Sequence, residues 1–301
     1  MNRRRFLGQS GLVLAGLGLS PSQQLLAQSL LPAAGQFHLI RNHVGYYTER
    51  GGTIGWLLHP AATAVVDTQF MEQSANLLQG LQAKQGFESL DLLINTHHHG
   101  DHTSGNMVFK DMVSTHIAHT NAKANQARVA KERNQLETNL LPAQTYTDEW
   151  RTQLGEESVK LRYFGPGHTN GDSVIHFENA NVAHLGDLVF NRRFPYIDPK
   201  SGGTFRNWAK VMKKITRTFD RDTIFIFGHA AASYRVTGTL TDVKAMENYI
   251  RRLLDYVKKE KKKGTSQEQL LAKTAVIPGA EEWRYGERLR AVNLKVAWEE
   301  V

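Results

Sequence analysis

The run Thr96-His97-His98-His99-Gly100-Asp101-His102 gathers imidazoles and a carboxylate directly after the short apolar run Leu92-Leu93-Ile94. That order places metal-donor groups at the C-terminal mouth of a buried strand, where they can be held rigidly. Side chains alternate along an extended chain, so His97, His99 and Asp101 can point one way and His98 the other, with His102 following as the chain turns. Two imidazoles plus a carboxylate–imidazole pair suggest two adjacent divalent cations, and nitrogen and oxygen donors suit zinc. A histidine-rich surface tract would have the same local composition. The donors that appear later in the chain argue against it.

Three later segments repeat one design, a strand that ends in a donor-type residue. Phe164-Gly165-Pro166-Gly167-His168-Thr169 places His168 after glycines that allow a tight turn. His184-Leu185-Gly186-Asp187 and Phe225-Ile226-Phe227-Gly228-His229 do the same for Asp187 and His229. Each is weak alone, because a histidine after a glycine turn is more often structural. Four strand-end sites in one chain are hard to reach by accident.

The elements that must carry these residues can be read from apolar periodicity. Strands are predicted at 37–40, 53–58, 64–67, 92–94, 112–117, 160–164, 173–177, 182–185 and 223–227, and helices at 72–85, 119–137, 205–219, 240–259 and 281–300. The stripe Phe205, Trp208, Met212, Ile215 and Phe219 belongs to a core-facing helix. No short repeat and no long linker interrupts the order. A single domain over residues 31–301, with C-terminal helices in 240–301, is expected: two packed sheets with helices outside.

Composition narrows the chemistry. The 301 residues contain no cysteine, which removes thiolate zinc sites, disulfide frameworks and cysteine nucleophiles. Arg3-Arg4-Arg5-Phe6-Leu7, followed by the weakly apolar run Gly11 to Leu19, has the form of a twin-arginine leader over residues 1–30. It implies the twin-arginine translocase as a partner during export and a periplasmic location, with no membrane anchor, since the apolar run is too short to span a bilayer. Without those residues the net charge of +8 falls to +5. Much of that charge sits in Lys258-Lys259-Glu260-Lys261-Lys262-Lys263, where it suits a helix C-terminus. No nucleic-acid partner is expected, as the basic run lacks aromatic interleaving.

The ordered set Thr-His-x-His-x-Asp-His, Gly-His-Thr-x-Gly-Asp, Gly-Asp and Gly-His resembles the metallo-β-lactamase-fold hydrolases over residues 37 to 235. The resemblance implies an α/β fold, an αββα sandwich of two mixed β-sheets flanked by helices, with metals at one edge. It implies that His97, His99 and His168 hold a first zinc, that Asp101, His102 and His229 hold a second, and that Asp187 bridges them. Asp101 would both bind metal and orient water. A metal-bound hydroxide would then attack a small ester, thioester, lactone, amide or similar electrophile, because zinc lowers the pKa of its water to about 7. Asp67 matches a position that hydrogen-bonds the metal loop, and His98 is expected behind the donors rather than among them. Asp172 reads as a turn or supporting group, and His116, His176 and His184 as structural. Tyr46 and Tyr47 would occupy an early loop that lies over the site in many relatives.

Asp187 separates the possible activities. True β-lactamases of this fold usually have cysteine there or leave the bridging place without a carboxylate, whereas a bridging aspartate is similar to glyoxalase II and lactonases. β-Lactam hydrolysis is one rival, and a mononuclear iron(II) sulfur dioxygenase of the same fold is another. About two zinc ions per chain would favour hydrolysis, and about one iron would favour oxygenation. The glutathione-binding tail of glyoxalase II is not recognisable in residues 240–301. A small-molecule substrate is expected, selected by loops at 45–53 and 140–154, with Arg192 and Arg193 on one wall either attracting an anion or simply solvated.

Overall fold

The structure, a computed structural model, describes Gly35–Val301, and the leader expected over residues 1–30 lies outside the described residues. Seven strands form the first sheet in sequence order: β1 (Gln36–Arg41), β2 (Val44–Thr48), β3 (Ile54–His59), β4 (Ala62–Val66), β5 (Leu90–Asn95), β6 (Val113–His119) and β7 (Gln144–Tyr146). Strands β1 to β4 pair antiparallel, and β4 to β7 pair parallel. Helix α1 (Met71–Gln85) makes the crossover between β4 and β5. The short helix α2 (Gly100–Thr103) follows β5, and α3 (Thr120–Glu132) follows β6.

The second sheet contains β8 (Glu149–Leu154), β9 (Glu157–Tyr163), β10 (Ser173–Phe177) and β11 (Val182–His184). After the short strand β12 (Phe190–Asn191) and helix α4 (Phe205–Thr218), β13 (Ile224–Ile226) pairs parallel to β11. Strand β14 (His229–Ala230) pairs with β12, and β15 (Thr237–Gly238) closes the edge beside β13. Three helices complete the chain: α5 (Leu240–Lys262), α6 (Gln267–Lys273) and α7 (Glu287–Glu300). Among the described residues no helix is long and apolar enough to cross a membrane.

Strand periodicity sorts the apolar side chains into layers. Ala64 and Val66 of β4, and Leu92 and Ile94 of β5, enter a core shared with Val159, Leu161, Ile175 and Phe177 of the other sheet. Their neighbours Val65 and Leu93 face outward onto Leu77 and Leu81 of α1. In the second sheet Val182 and Ile226 face inward, while Ala183, Phe225 and Phe227 pack on α4 and α5 through Trp208, Met212, Met246 and Ile250. The result is the expected α/β sandwich, two mixed sheets between helical layers.

Some elements differ from the periodicity reading. Residues 45–53 and 140–154, expected as loops, contain β2, β7 and β8. Tyr46 and Tyr47 therefore sit in a sheet rather than over a site: Tyr46 stacks on His38, and buried Tyr47 hydrogen-bonds Glu49. Helix α6 was not foreseen, and α7 begins at Glu287 rather than 281.

The topology directs five chain segments to one edge. Strands β4, β5, β11 and β13 each run toward that edge and leave it with Asp67, His97–His102, Asp187 and His229. Strand β9 is antiparallel to β10, which is antiparallel to β11, so the exit of β9 lies there too and delivers His168.

Candidate metal centre

The seven residues expected to bind metal converge at this edge. Donor atoms of His97, His99, His168 and Asp187 lie within 4.8 Å of one another, and so do those of Asp101, His102 and His229. Asp187 faces both groups. Its Oδ2 is 3.8 Å from His97 Nε2 and 3.5 Å from His168 Nε2, while Oδ1 is 3.1 Å from His102 Nε2 and 3.5 Å from His229 Nε2. Asp101 Oδ2 approaches His229 Nε2 at 3.1 Å. The strand-like alternation applies only as far as His99. Asp101 and His102 come from the helical turn α2, which swings them toward the second group.

Outer hydrogen bonds determine which ring nitrogens point inward unprotonated. The Tyr196 carbonyl, 2.7 Å from His168 Nδ1, can only accept, so that nitrogen carries the proton. The Asp198 carboxylate, 3.2 Å from His99 Nε2, and the Asp67 carboxylate, 2.7 Å from His102 Nδ1, impose the same logic. Thr96 donates its hydroxyl to Asp67 Oδ2 at 2.7 Å and so accepts from His97 Nδ1 at 3.0 Å. In these tautomers the inward nitrogens of His97, His99 and His168 hold lone pairs. His99 Nδ1 meets His97 Nε2 at 3.1 Å and His168 Nε2 at 2.8 Å, an arrangement of facing acceptors that a cation would reconcile. His102 Nε2 and Asp187 Oδ1 are buried facing each other at 3.1 Å, with no other hydrogen-bond partner for either. The donor set fits divalent metal on both counts.

The electrostatics divide the centre in two. Burial pushes His97 well below its ordinary value, reinforced by His102, and burial takes His168 down to about 3. Burial also acts on His229 and His102, but there the carboxylates win: Asp187 with Asp101 lifts His229 to about 9, and Asp187 with Asp67 lifts His102 well above normal. Asp187 is buried, yet His229 and His102 hold its carboxyl well below the usual range. His97 and His168 are thus neutral, while His102 and His229 belong to a carboxylate–imidazole cluster with Asp101 and Asp187.

Backbone contacts fix the loops. Asp67 also accepts from Thr96 N at 2.8 Å, and Thr68 N donates to His102 O at 2.7 Å. Gly52 N bonds Asp101 O and Thr53 N bonds Gly228 O, tying the first sheet to the exits of both. A side chain at Gly228 would meet Asp187 Oδ1 at 1.9 Å, so only glycine lets that carboxylate reach inward.

The remaining expected residues serve the periphery. His98 is buried with Nε2 on Ser201 Oγ at 3.1 Å, and Asp172 accepts from Thr169 N at 2.8 Å. His184 reaches the Thr53 carbonyl. Arg192 is committed to Asp242 and Glu282, whereas Arg193 lines the mouth with Tyr196, Phe190 and Leu289. Asp198 was missed by the sequence reading. Its only signal is Asp-Pro, which fits a helix start, and Asp198 does cap the turn Pro199–Ser201.

Beneath the loop, Asn95 Oδ1 accepts from His116 Nε2 at 2.9 Å and from Asn106 Nδ2 at 2.9 Å. Burial, helped by Lys123, lowers His116 from 6.5 to about 3. The unfolded chain therefore takes up this proton first as pH falls. The stability that follows from a neutral His116 is complete above pH 6.5 and is lost toward pH 3. Between pH 7.5 and 5, wild type is expected to lose about 2 kcal/mol more than His116→Gln, measured by guanidinium unfolding of both proteins. Equal losses would show that His116 does not stay neutral in the fold.

An αββα sandwich with a two-lobed His/Asp centre at the strand exits defines the class. Residues 47–229 match the family model described as the metallo-beta-lactamase superfamily, and the chain belongs to that superfamily. Among curated proteins it is similar to the hydroxyacylglutathione hydrolase of Crocosphaera subtropica, 32% identical over 143 residues, 45% of this chain and 49% of the relative. The corresponding protein of Maricaulis maris is 29% identical over 141 residues, 45% and 47% of the two chains. The chain spans about half the length of these curated relatives. Among solved structures, the inverting sec-alkylsulfatase Pisa1 from Pseudomonas sp. aligns with a TM-score of 0.69 at 12% identity, covering 88% of this chain and 50% of that one. A metallo-beta-lactamase from Pontibacter korlensis aligns at 0.57 and 14%, covering 72% and 99%. These two likenesses concern the fold.

Proposed function

We propose that the protein is an exported dinuclear zinc hydrolase of a small electrophilic acyl compound, with a thioester favoured among ester, thioester, lactone and amide. The observation that carries this reading is Asp187, whose two oxygens face two separate donor groups. His97, His99 and His168 would hold one ion and Asp101, His102 and His229 the other. Bound zinc supplies an acidified water and polarises a carbonyl.

The chain's own residues do the rest. Asp101, half-buried at the mouth, presents a carboxylate held near 2, despite burial, by His102 and His229, so it remains an acceptor able to orient water. Tyr196 and Arg193 stand at the opening, where they can position the acyl group and its leaving group. Phe190 and Leu289 exclude water from one side. The thioester preference follows from the hydroxyacylglutathione hydrolases among its relatives. The carboxylate at Asp187 supports this reading over β-lactam hydrolysis. Export by the twin-arginine route to the periplasm rests on Arg3-Arg4-Arg5-Phe6-Leu7.

Metal content and turnover test the proposal together. The purified protein is expected to contain about two zinc ions per chain and to hydrolyse acyl thioesters faster than lactones or β-lactams. A chelator should abolish turnover, and zinc should restore it. About one iron per chain with oxygen-dependent turnover would instead establish the dioxygenase reading.

A further inference from the structure

The segment Tyr196–Gly203 is stitched to the loop that carries His168. Asp198 N donates to the His168 carbonyl at 3.1 Å, Asn170 N to the Ser201 carbonyl at 2.8 Å, and Thr204 N to the Gly167 carbonyl at 3.0 Å. From this strap two acceptors reach two imidazoles of the same donor group. The Tyr196 carbonyl takes His168 Nδ1–H, and Asp198 Oδ2 takes His99 Nε2–H. Asp198 Oδ1 also receives Ser201 N at 3.3 Å, and Ser201 Oγ is held by Arg128 of α3 at 2.9 Å. The carboxylate is mostly buried, so its position is set by these bonds rather than by water.

We propose that Asp198 is a positioning residue for the first donor group: it fixes the tautomer and aim of His99 and anchors the strap that does the same for His168. The inference rests on the reading of a paired metal centre. An imidazole that binds through Nδ1 must carry its proton on Nε2, and a carboxylate beside Nε2 stabilises that tautomer and makes Nδ1 a better donor. His98 Nε2 lies 3.5 Å from Asp198 Oδ2, so His98, His99 and Asp198 together could also be read as a third cation site. Ordinary hydrogen bonds already occupy it. His99 Nε2 is on Asp198 and His98 Nε2 is on Ser201 Oγ.

Two measurements on the full folded chain test this. In metal-free protein, imidazole nitrogen NMR should show His99 protonated at Nε2 in wild type and a mixture of tautomers in Asp198→Ala. In competition with a chelator, using cobalt(II) as the probe, one of the two ions should bind about 10–100-fold more weakly in Asp198→Ala, the one whose loss perturbs His99 and His168. Asp198→Glu should recover part of that affinity. Ser201→Ala loosens the strap but keeps the carboxylate, and should leave the His99 tautomer unchanged. An unaltered tautomer, or two wild-type affinities in Asp198→Ala, overturns the proposal. So does a third cobalt equivalent that wild type binds and the variant loses. Wild type that binds no metal would defeat the paired-metal reading, while the tautomer measurement still decides whether Asp198 directs His99.

Discussion

Replacing Asp187 with alanine is expected to remove one of two metal equivalents and lower kcat/KM by about 10³-fold or more. The argument rests on its place between the donor groups, with one oxygen toward His97 and His168 and the other toward His102 and His229. No other carboxylate faces both groups among the described residues. Removal also leaves His102 and His229 without the negative charge that, ahead of Asp101 or Asp67, offsets their burial. Asp187→Asn keeps the volume but offers one acceptor oxygen, so it should retain the fold and lose the second ion. Elemental analysis after gel filtration, paired with steady-state kinetics, provides the check. A variant with two ions and unchanged kcat/KM would show that Asp187 does not join the groups.

Asp67→Asn is expected to weaken one ion by about 10–100-fold although Asp67 never faces the metal space. Asp67 is fully buried at the end of β4, with a φ of 64° that aspartate tolerates better than most residues. Its carboxylate accepts from Thr96 N, Thr96 Oγ1 and His102 Nδ1. An amide at the same place supplies a donor where a second acceptor is required. Turned toward His102, that donor moves the imidazole proton to Nε2, the nitrogen that faces Asp187. Asp67→Ala goes further and leaves three buried donors unsatisfied, at a cost of about 3–5 kcal/mol. Chelator competition should therefore separate the two variants from thermal unfolding: the asparagine loses affinity with most of its stability kept, and the alanine loses both.

The sandwich was largely legible because both faces of β4, β5 and β11 are buried and their residues leave a strong apolar signal. Strand β8 was hidden. It lies at a sheet edge, its sequence Glu-Trp-Arg-Thr-Gln-Leu alternates exposed with part-buried positions, and its existence depends on pairing with β9 rather than on its own composition. In the centre, the inward donors were visible because each follows a glycine turn or the histidine run. Asp198 and the Tyr196 carbonyl were not visible, because they act on the far nitrogen of an imidazole contributed by a distant segment. His99 and Asp198 are separated by 99 positions, and no spacing rule connects them. The helical turn at Gly100–Thr103 was likewise concealed by the simpler alternation of an extended chain.

Neither sheet owns a complete donor group. His97, His99, Asp101 and His102 leave the first sheet, and His168, Asp187 and His229 leave the second. Cut between β7 and β8, the chain would yield two fragments, each with part of both groups. The apolar core between the sheets would draw the fragments together, and a divalent ion bound at the edge would strengthen that association. The same division constrains how the chain can evolve: a substitution that slides one sheet against the other perturbs both donor groups at once, so packing between the sheets and chemistry at their edge are inherited together.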